Sequence, residues 1–142
     1  MHNLFRLGEF TGDQQFRDKA VQTLRAFKDS LETRRDAFPV MLSALDYVWG
    51  APKQIVISGD RKTNHFEEML SAVHSYYLPN KIVACADSQM ETQKQFQLPL
   101  LNGKFSSAAV VNVYVCENFT CQQPIQSKSQ FNDYYSSVLK KV

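Results

Sequence analysis

The sequence predicts an α/β fold: an N-terminal αα-hairpin packed on a small three-stranded parallel sheet with flanking helices. Three observations predict it. Between Asp13 and Val48 the apolar residues recur at helical spacing. After Pro52 they come instead in short β-branched runs, Gln54-Ile-Val-Ile-Ser58, Lys81-Ile-Val-Ala-Cys-Ala86 and Ala108–Val115, the pattern of strands buried on both faces. Helical stretches alternate with those runs, and strand–helix–strand order implies parallel strands joined by right-handed crossovers.

Thr11-Gly-Asp13 offers a helix cap, and Phe16, Ala20, Val21, Leu24, Phe27 and Leu31 then follow at three- and four-residue steps. Thr33-Arg-Arg-Asp36 breaks the pattern. Pro39 suits the first turn of a second helix, with Val40, Met41, Leu42, Ala44, Leu45 and Val48 as its apolar residues, and Gly50 and Pro52 end it. Such a hairpin has one apolar face and needs a neighbour to bury it. An exposed apolar stripe through Phe16, Leu24 and Phe27 is therefore expected.

The first β-branched run ends at Gly59-Asp60. Asn64-His-Phe-Glu67 has the form of a capping box, and Phe66, Met69, Leu70, Val73 and Tyr77 give the face of the next helix. Pro79-Asn80 is a turn before the second strand. A short helix is expected near Met90–Phe96 in the polar stretch that follows. Ser127-Lys-Ser-Gln130 is a second capping box, opening a last helix with Phe131, Tyr134, Tyr135, Val138 and Leu139 facing inward. The most buried positions should be Ile55, Val56, Ile57, Ile82, Val83, Val111, Val113 and Val115.

Composition narrows the function classes. At 142 residues, 44% hydrophobic and 21% charged, the chain fits one globular domain, or a small domain plus a piece of another. A formal charge of +2, with Arg34-Arg35, Arg61-Lys62 and Lys140-Lys141 scattered, argues against a nucleic-acid face. No apolar run approaches the ~20 residues that span a bilayer. The opening residues lack the basic and apolar regions of a signal peptide. Cys85, Cys116 and Cys121 are odd in number and sparse, which favours a reducing compartment, cytoplasm or mitochondria, over a disulfide framework. Neither membrane nor nucleic acid is expected as a partner.

In a parallel sheet, ligands gather at the carboxyl ends of the strands. Asp60, Asp87 and Glu117 each follow one of the predicted strands, so together they form a candidate edge for a cation or a hydroxylated ligand; turn-capping is the plainer role for such residues. Gly59 stands alone, whereas phosphate loops need several glycines or a Gly-Lys-Ser/Thr. Cys116 and Cys121 form the other candidate, a Cys-x4-Cys pair at a strand end. They could be structural thiols, a reversible disulfide or half of a metal site. Four intervening residues and no helix start set them apart from a thioredoxin-type pair. A structural zinc site wants four ligands, and His65 and His74 sit out of phase on one helix. Cys85 lies within a buried run and reads as a small hydrophobe. No catalytic constellation, metal set or cofactor motif is evident, so no cofactor is expected.

Three segments carry a family resemblance: Gln54-Ile-Val-Ile-Ser-Gly-Asp60, Val73-His-Ser-Tyr-Tyr-Leu-Pro-Asn-Lys81 and Tyr114-Val-Cys-Glu-Asn-Phe-Thr-Cys-Gln-Gln-Pro-Ile125. They resemble the C-terminal region of the spermatogenesis-associated protein 20 family. The resemblance implies large proteins with an N-terminal thioredoxin-like domain and an (α/α)6 barrel similar to that of N-acylglucosamine 2-epimerases. His2-Asn-Leu-Phe-Arg-Leu7 resembles a helix of that barrel. On this footing residues 1–50 are a helical hairpin ending the barrel, and residues 51–142 are a small C-terminal α/β subdomain. The chain is then a C-terminal fragment, or a reading frame begun at an internal Met, whose partner is the remainder of the barrel. No catalytic residue carries over. The expected role is structural and capping, with a thiol-redox or metal module at Cys116 and Cys121 as one alternative and scaffolding of an epimerase-like carbohydrate enzyme as another.

Overall fold

The computed structural model describes residues 1–87, 98–106 and 110–137. Helix α1 (His2–Thr11) ends at Gly12, whose left-handed φ of 69° lets its N–H donate to Gly8 O. Asp13 caps α2 (Gln14–Ala26), its carboxylate accepting from Gln15 N at 2.9 Å. α2 stops at Phe27 and a short α3 (Lys28–Thr33) continues beyond it. Pro39 opens α4 (Pro39–Trp49), and Gly50 ends it.

The expected two-helix hairpin is replaced by a packed group of four helices, α1 to α4. α1 lies against both α2 and α4. Phe5 of α1, Ala20 and Leu24 of α2, Leu31 of α3, and Ala44 and Tyr47 of α4 share one core. The stripe expected through Phe16, Leu24 and Phe27 is consequently mostly covered: Leu24 is buried, Phe16 half-buried, and Phe27 alone of the three is exposed. The cause is the apolar side of α1, a helix that the periodicity of residues 13–48 does not include. Large exposed apolar side chains lie on α4, at Val40, Leu42 and Trp49, and singly elsewhere, at Leu7, Tyr77, Val110 and Phe119.

The sheet combines β1 (Lys53–Ser58), β2 (Lys81–Ala86), β3 (Asn112–Glu117) and β4 (Thr120–Cys121) in the order β2-β1-β3-β4. β1 and β2 are parallel, from Lys53 opposite Lys81 to Ser58 opposite Ala86. Between them runs α5 (Asn64–Ser75), capped by Thr63, whose hydroxyl accepts from Phe66 N at 3.3 Å. β3 runs antiparallel to β1, with Lys53 opposite Glu117 and Ser58 opposite Asn112. The three-stranded parallel sheet is thus corrected to a mixed sheet of four strands. A crossover helix fixes the direction of the strand it delivers, but an apolar run does not. The long segment after β2 delivers β3 to the free side of β1, and the short helix expected near Met90–Phe96 does not fix the direction in which the strand then runs.

Each face of the sheet has its own core. On one, Ile55, Ile57, Val111, Val113 and Val115 meet Phe66, Met69 and Val73 of α5 and Phe131 of α6 (Lys128–Ser137). On the other, Val56, Ile82, Ala84 and Ala86 meet Leu100 and Leu101 of a 3-10 turn (Pro99–Leu101), with Phe10 of α1 alongside. Full burial of such a side chain stabilises by about 1.5–3 kcal/mol before entropy is counted. All the expected core positions are buried except Val83, which is half-buried because β2 is an edge strand. Ser127 Oγ accepts from Gln130 N at 3.2 Å, as its capping box predicts. The helix expected near Met90–Phe96 lies outside the described residues. Among the described residues no helix is long and apolar enough to cross a membrane.

Candidate functional site

The antiparallel β3 separates the expected acidic edge. Asp60 and Asp87 follow parallel strands and stand at one end of the sheet; Glu117 stands at the other, opposite Lys53. Asp60 forms a turn: its carboxylate accepts from Lys62 N at 2.9 Å, and its carbonyl accepts from the Thr63 hydroxyl at 2.8 Å. Glu117 is ion-paired with Lys53. The structure therefore does not bring the three carboxylates to one edge.

Cys116 and Cys121 come together. β3 and β4 form a two-residue hairpin, Glu117-Asn-Phe-Thr120, with Asn118 at φ 49° and Phe119 at φ 61°. Positive φ at both central residues is the type I′ geometry that matches strand twist. Asn tolerates that conformation, and Phe is an unusual choice for it. The turn sets Cys116 opposite Cys121, their Cα atoms 3.9 Å apart, and the two sulfurs are joined as a disulfide. Their environments differ: Cys116 is 1% exposed, whereas Cys121 lies in the open on the short outer strand.

Cys85 is far from this pair along the sheet, opposite Ile57, and half-buried. Burial pushes its thiol pKa up, with Arg61 pulling the other way. His65 Nε2 lies 3.0 Å from Gln126 O, and His74 is exposed in the last turn of α5. Among the described residues no three His, Cys, Asp or Glu side chains are grouped to hold a metal.

Sequence reading missed the polar cluster beneath the hairpin. Gln54, the second residue of β1, is fully buried, and its Nε2 donates to Glu9 Oε2 of α1 at 2.6 Å. Arg17 Nη1 stands 3.8 Å from the other oxygen of Glu9. A carboxylate only accepts, so it fixes which way the Gln54 amide faces. Gln54 Oε1 is left buried with no partner among the described residues, as is the Tyr47 hydroxyl. Burial pushes the Tyr47 pKa up strongly, and the Glu9 charge adds to it. A cavity of about 210 Å³ adjoins the cluster, bordered by Phe5, Glu9, Asp13, Arg17, Asn118 and Phe119. The one signal in the sequence was a glutamine set directly before the apolar run Ile55-Val-Ile57.

Comparison with known proteins gives the family context. The chain is 39% identical to human spermatogenesis-associated protein 20 over 124 residues, covering 87% of this chain. Its homologues carry the name spermatogenesis-associated protein 20. The mouse spermatogenesis-associated protein 20 is 37% identical over the same share of the chain, and an uncharacterised protein of Caenorhabditis elegans is 24% identical over 95% of it. The match covers only 16% of the human and mouse spermatogenesis-associated protein 20 and 18% of the worm protein, about a sixth of each. No family profile and no solved structure matches the chain.

Proposed function

We propose that this chain is a non-catalytic α/β capping unit of a larger protein built like spermatogenesis-associated protein 20. The observation that carries the reading is α4. Leu42 and Trp49 lie seven residues, or about two turns, apart on one side of that helix. Trp49 is 79% exposed and Leu42 37%, with Val40 at 73% in the first turn. A soluble domain has little reason to hold its single tryptophan in water unless another surface covers it. The matched relatives supply the missing surface in principle, since five-sixths of their length lies outside the match. In this reading residues 1–50 end a helical barrel, residues 51–142 close it, and the segment is C-terminal and intracellular. A thioredoxin-like domain and an epimerase-like, carbohydrate-active barrel belong to the proposed whole, and this segment contributes scaffold to them.

The test adds the chain to the remaining five-sixths of the human relative. With Trp49 carried as a fluorinated tryptophan, co-elution and a shift of its fluorine resonance are expected. Trp49→Ser should weaken co-elution without unfolding the chain, because an exposed side chain contributes little to the isolated fold. Absence of binding with both partners folded would remove the reading.

A further inference from the structure

The hairpin disulfide is asymmetric, and the asymmetry has chemical content. Thiol exchange begins when a thiolate reaches one sulfur along the line of the S–S bond, expelling the other. Cys116 is buried and Cys121 is exposed, so Cys121 is the half of the bond that lies toward solvent. The expelled thiolate would then be Cys116, on the inner side.

A second observation lies where that thiolate would emerge. Gln54 is the register partner of Cys116 across β1 and β3. Directly opposed residues of an antiparallel pair share a face, with Cβ atoms about 4.5–5.5 Å apart. Gln54 Nε2 is committed to Glu9, and Gln54 Oε1 is a buried acceptor with no donor among the described residues. While Cys116 is in the disulfide it has no hydrogen to give. Once reduced, its S–H is a donor in the adjacent position.

We propose that Cys121 is a thiol-exchange site for a low-molecular-weight thiol of the glutathione class, with Cys116 as the buried leaving and resolving thiol and Gln54 as the group that receives its proton-bearing form. In the first step the small thiolate bonds to Cys121 Sγ, the Cys121–Cys116 bond breaks, and Cys116 leaves as thiolate. Cys116 takes a proton from water and donates it as S–H to Gln54 Oε1. A second small thiolate attacks the mixed disulfide, releasing Cys121 as thiolate and the small molecule as its own disulfide. In total, two small thiols are oxidised and the hairpin disulfide is reduced by two electrons. In the reverse direction Cys116 resolves an adduct on Cys121 and remakes the bond. Gln54 also holds Glu9, which borders the cavity lined by Asn118 and Phe119 of the same hairpin.

The experiment uses the full chain in glutathione redox buffers, acid-quenched and mapped by peptide mass, with Cys85→Ser as background. The expected adduct sits on the Cys121 peptide of the chain with both hairpin cysteines in place. Cys116→Ser should accumulate that adduct stably, and folded Cys121→Ser should gain none at Cys116. Gln54→Leu should raise the glutathione ratio needed for half-reduction about twofold to fivefold, since the reduced form loses the acceptor of its S–H, a weaker donor than N–H or O–H. Its broken tie to Glu9 weighs on both redox states alike. An adduct on Cys116, or a folded chain whose disulfide resists glutathione at every ratio, overturns the exchange site. An unchanged half-reduction ratio in Gln54→Leu overturns the role of Gln54. Mapping without hairpin substitutions decides the site even if a cysteine variant fails to fold.

Discussion

The two ends of the sheet are built on different physics. At the end that carries Ser58, Gly59 and Asp60, the backbone closes on itself. Gly59 N donates to Ala86 O at 3.1 Å, the Ser106 hydroxyl donates to the Ser58 hydroxyl at 3.0 Å, and Asp60 caps its own turn. At the end that carries Lys53 and Glu117, side chains and a covalent bond take over: an ion pair, the Glu9–Gln54 bond and the disulfide. Two buried polar atoms in that half, Gln54 Oε1 and the Tyr47 hydroxyl, lack partners among the described residues. An end satisfied by its own backbone gains nothing from an added group. An end with buried orphans does, since each unsatisfied group costs about 1–3 kcal/mol. Asp60 and Asp87, two of the three residues of the expected acidic edge, thus lie at the self-contained end, and the cysteine end, where Glu117 stands, has capacity to spare.

The comparison can be broken by substitution. If the backbone-closed end depends on tight packing, Ile57→Ala should be the costliest change, lowering stability by about 2–4 kcal/mol in denaturant titration. Gly59→Ala should come next. Gly59 sits at φ 147°, and a Cβ there would meet Val111 Cγ2 at 3.0 Å and Val110 O at 3.2 Å. Strain and contact together should cost about 2 kcal/mol, read as a lower melting temperature.

The other end should respond with the opposite sign. Tyr47→Phe removes a buried orphan and should stabilise by about 1 kcal/mol. It should also change the alkaline limb. The folded-state pKa of Tyr47 is raised above its ordinary value of 10.0, so the unfolded chain loses that proton first. The native state then binds more protons, and stability present below pH 10 declines as pH rises beyond it. Tyr47→Phe should flatten that decline; an unchanged alkaline slope would show that Tyr47 does not cause it. Phe119→Gly should raise stability by about 0.5 kcal/mol, relief of left-handed strain exceeding the entropy glycine adds to the unfolded chain. Smallest of all, Lys53→Met should change stability by less than about 1 kcal/mol, because Glu117 is 47% exposed and screened.

How much of this was legible follows from range. Ile55, Val56 and Ile57 announce a buried strand by themselves, and the caps at Asp13 and Ser127 are local signals that the structure repeats. The direction of β3 was not legible, because Val111, Val113 and Val115 look alike whichever way the strand runs. Cys116 and Cys121 were legible as a pair from their spacing at a strand end, but their disulfide was not, since sparse, odd-numbered cysteines favour a reducing compartment. The Glu9–Gln54 bond was not, since it joins residues 45 apart and nothing near either names the other. The family resemblance located the chain among its relatives but did not supply the polar cluster, which is a matter of packing.

Helix α1 is the first element of the chain and the one that touches most distant parts of it. It packs on α2 and α4, reaches the 3-10 turn at Pro99–Leu101, and sends Arg6 Nη2 to Lys81 O at 3.2 Å, across a separation of 75 residues. Closing so long a loop costs entropy that only later contacts repay. Helix α1 can therefore settle early on α2 and α4, which are near it in sequence, yet its docking on the sheet must wait for β2. An amide-exchange pulse during refolding should find α1 protected in two steps, first with its neighbouring helices and then with the sheet.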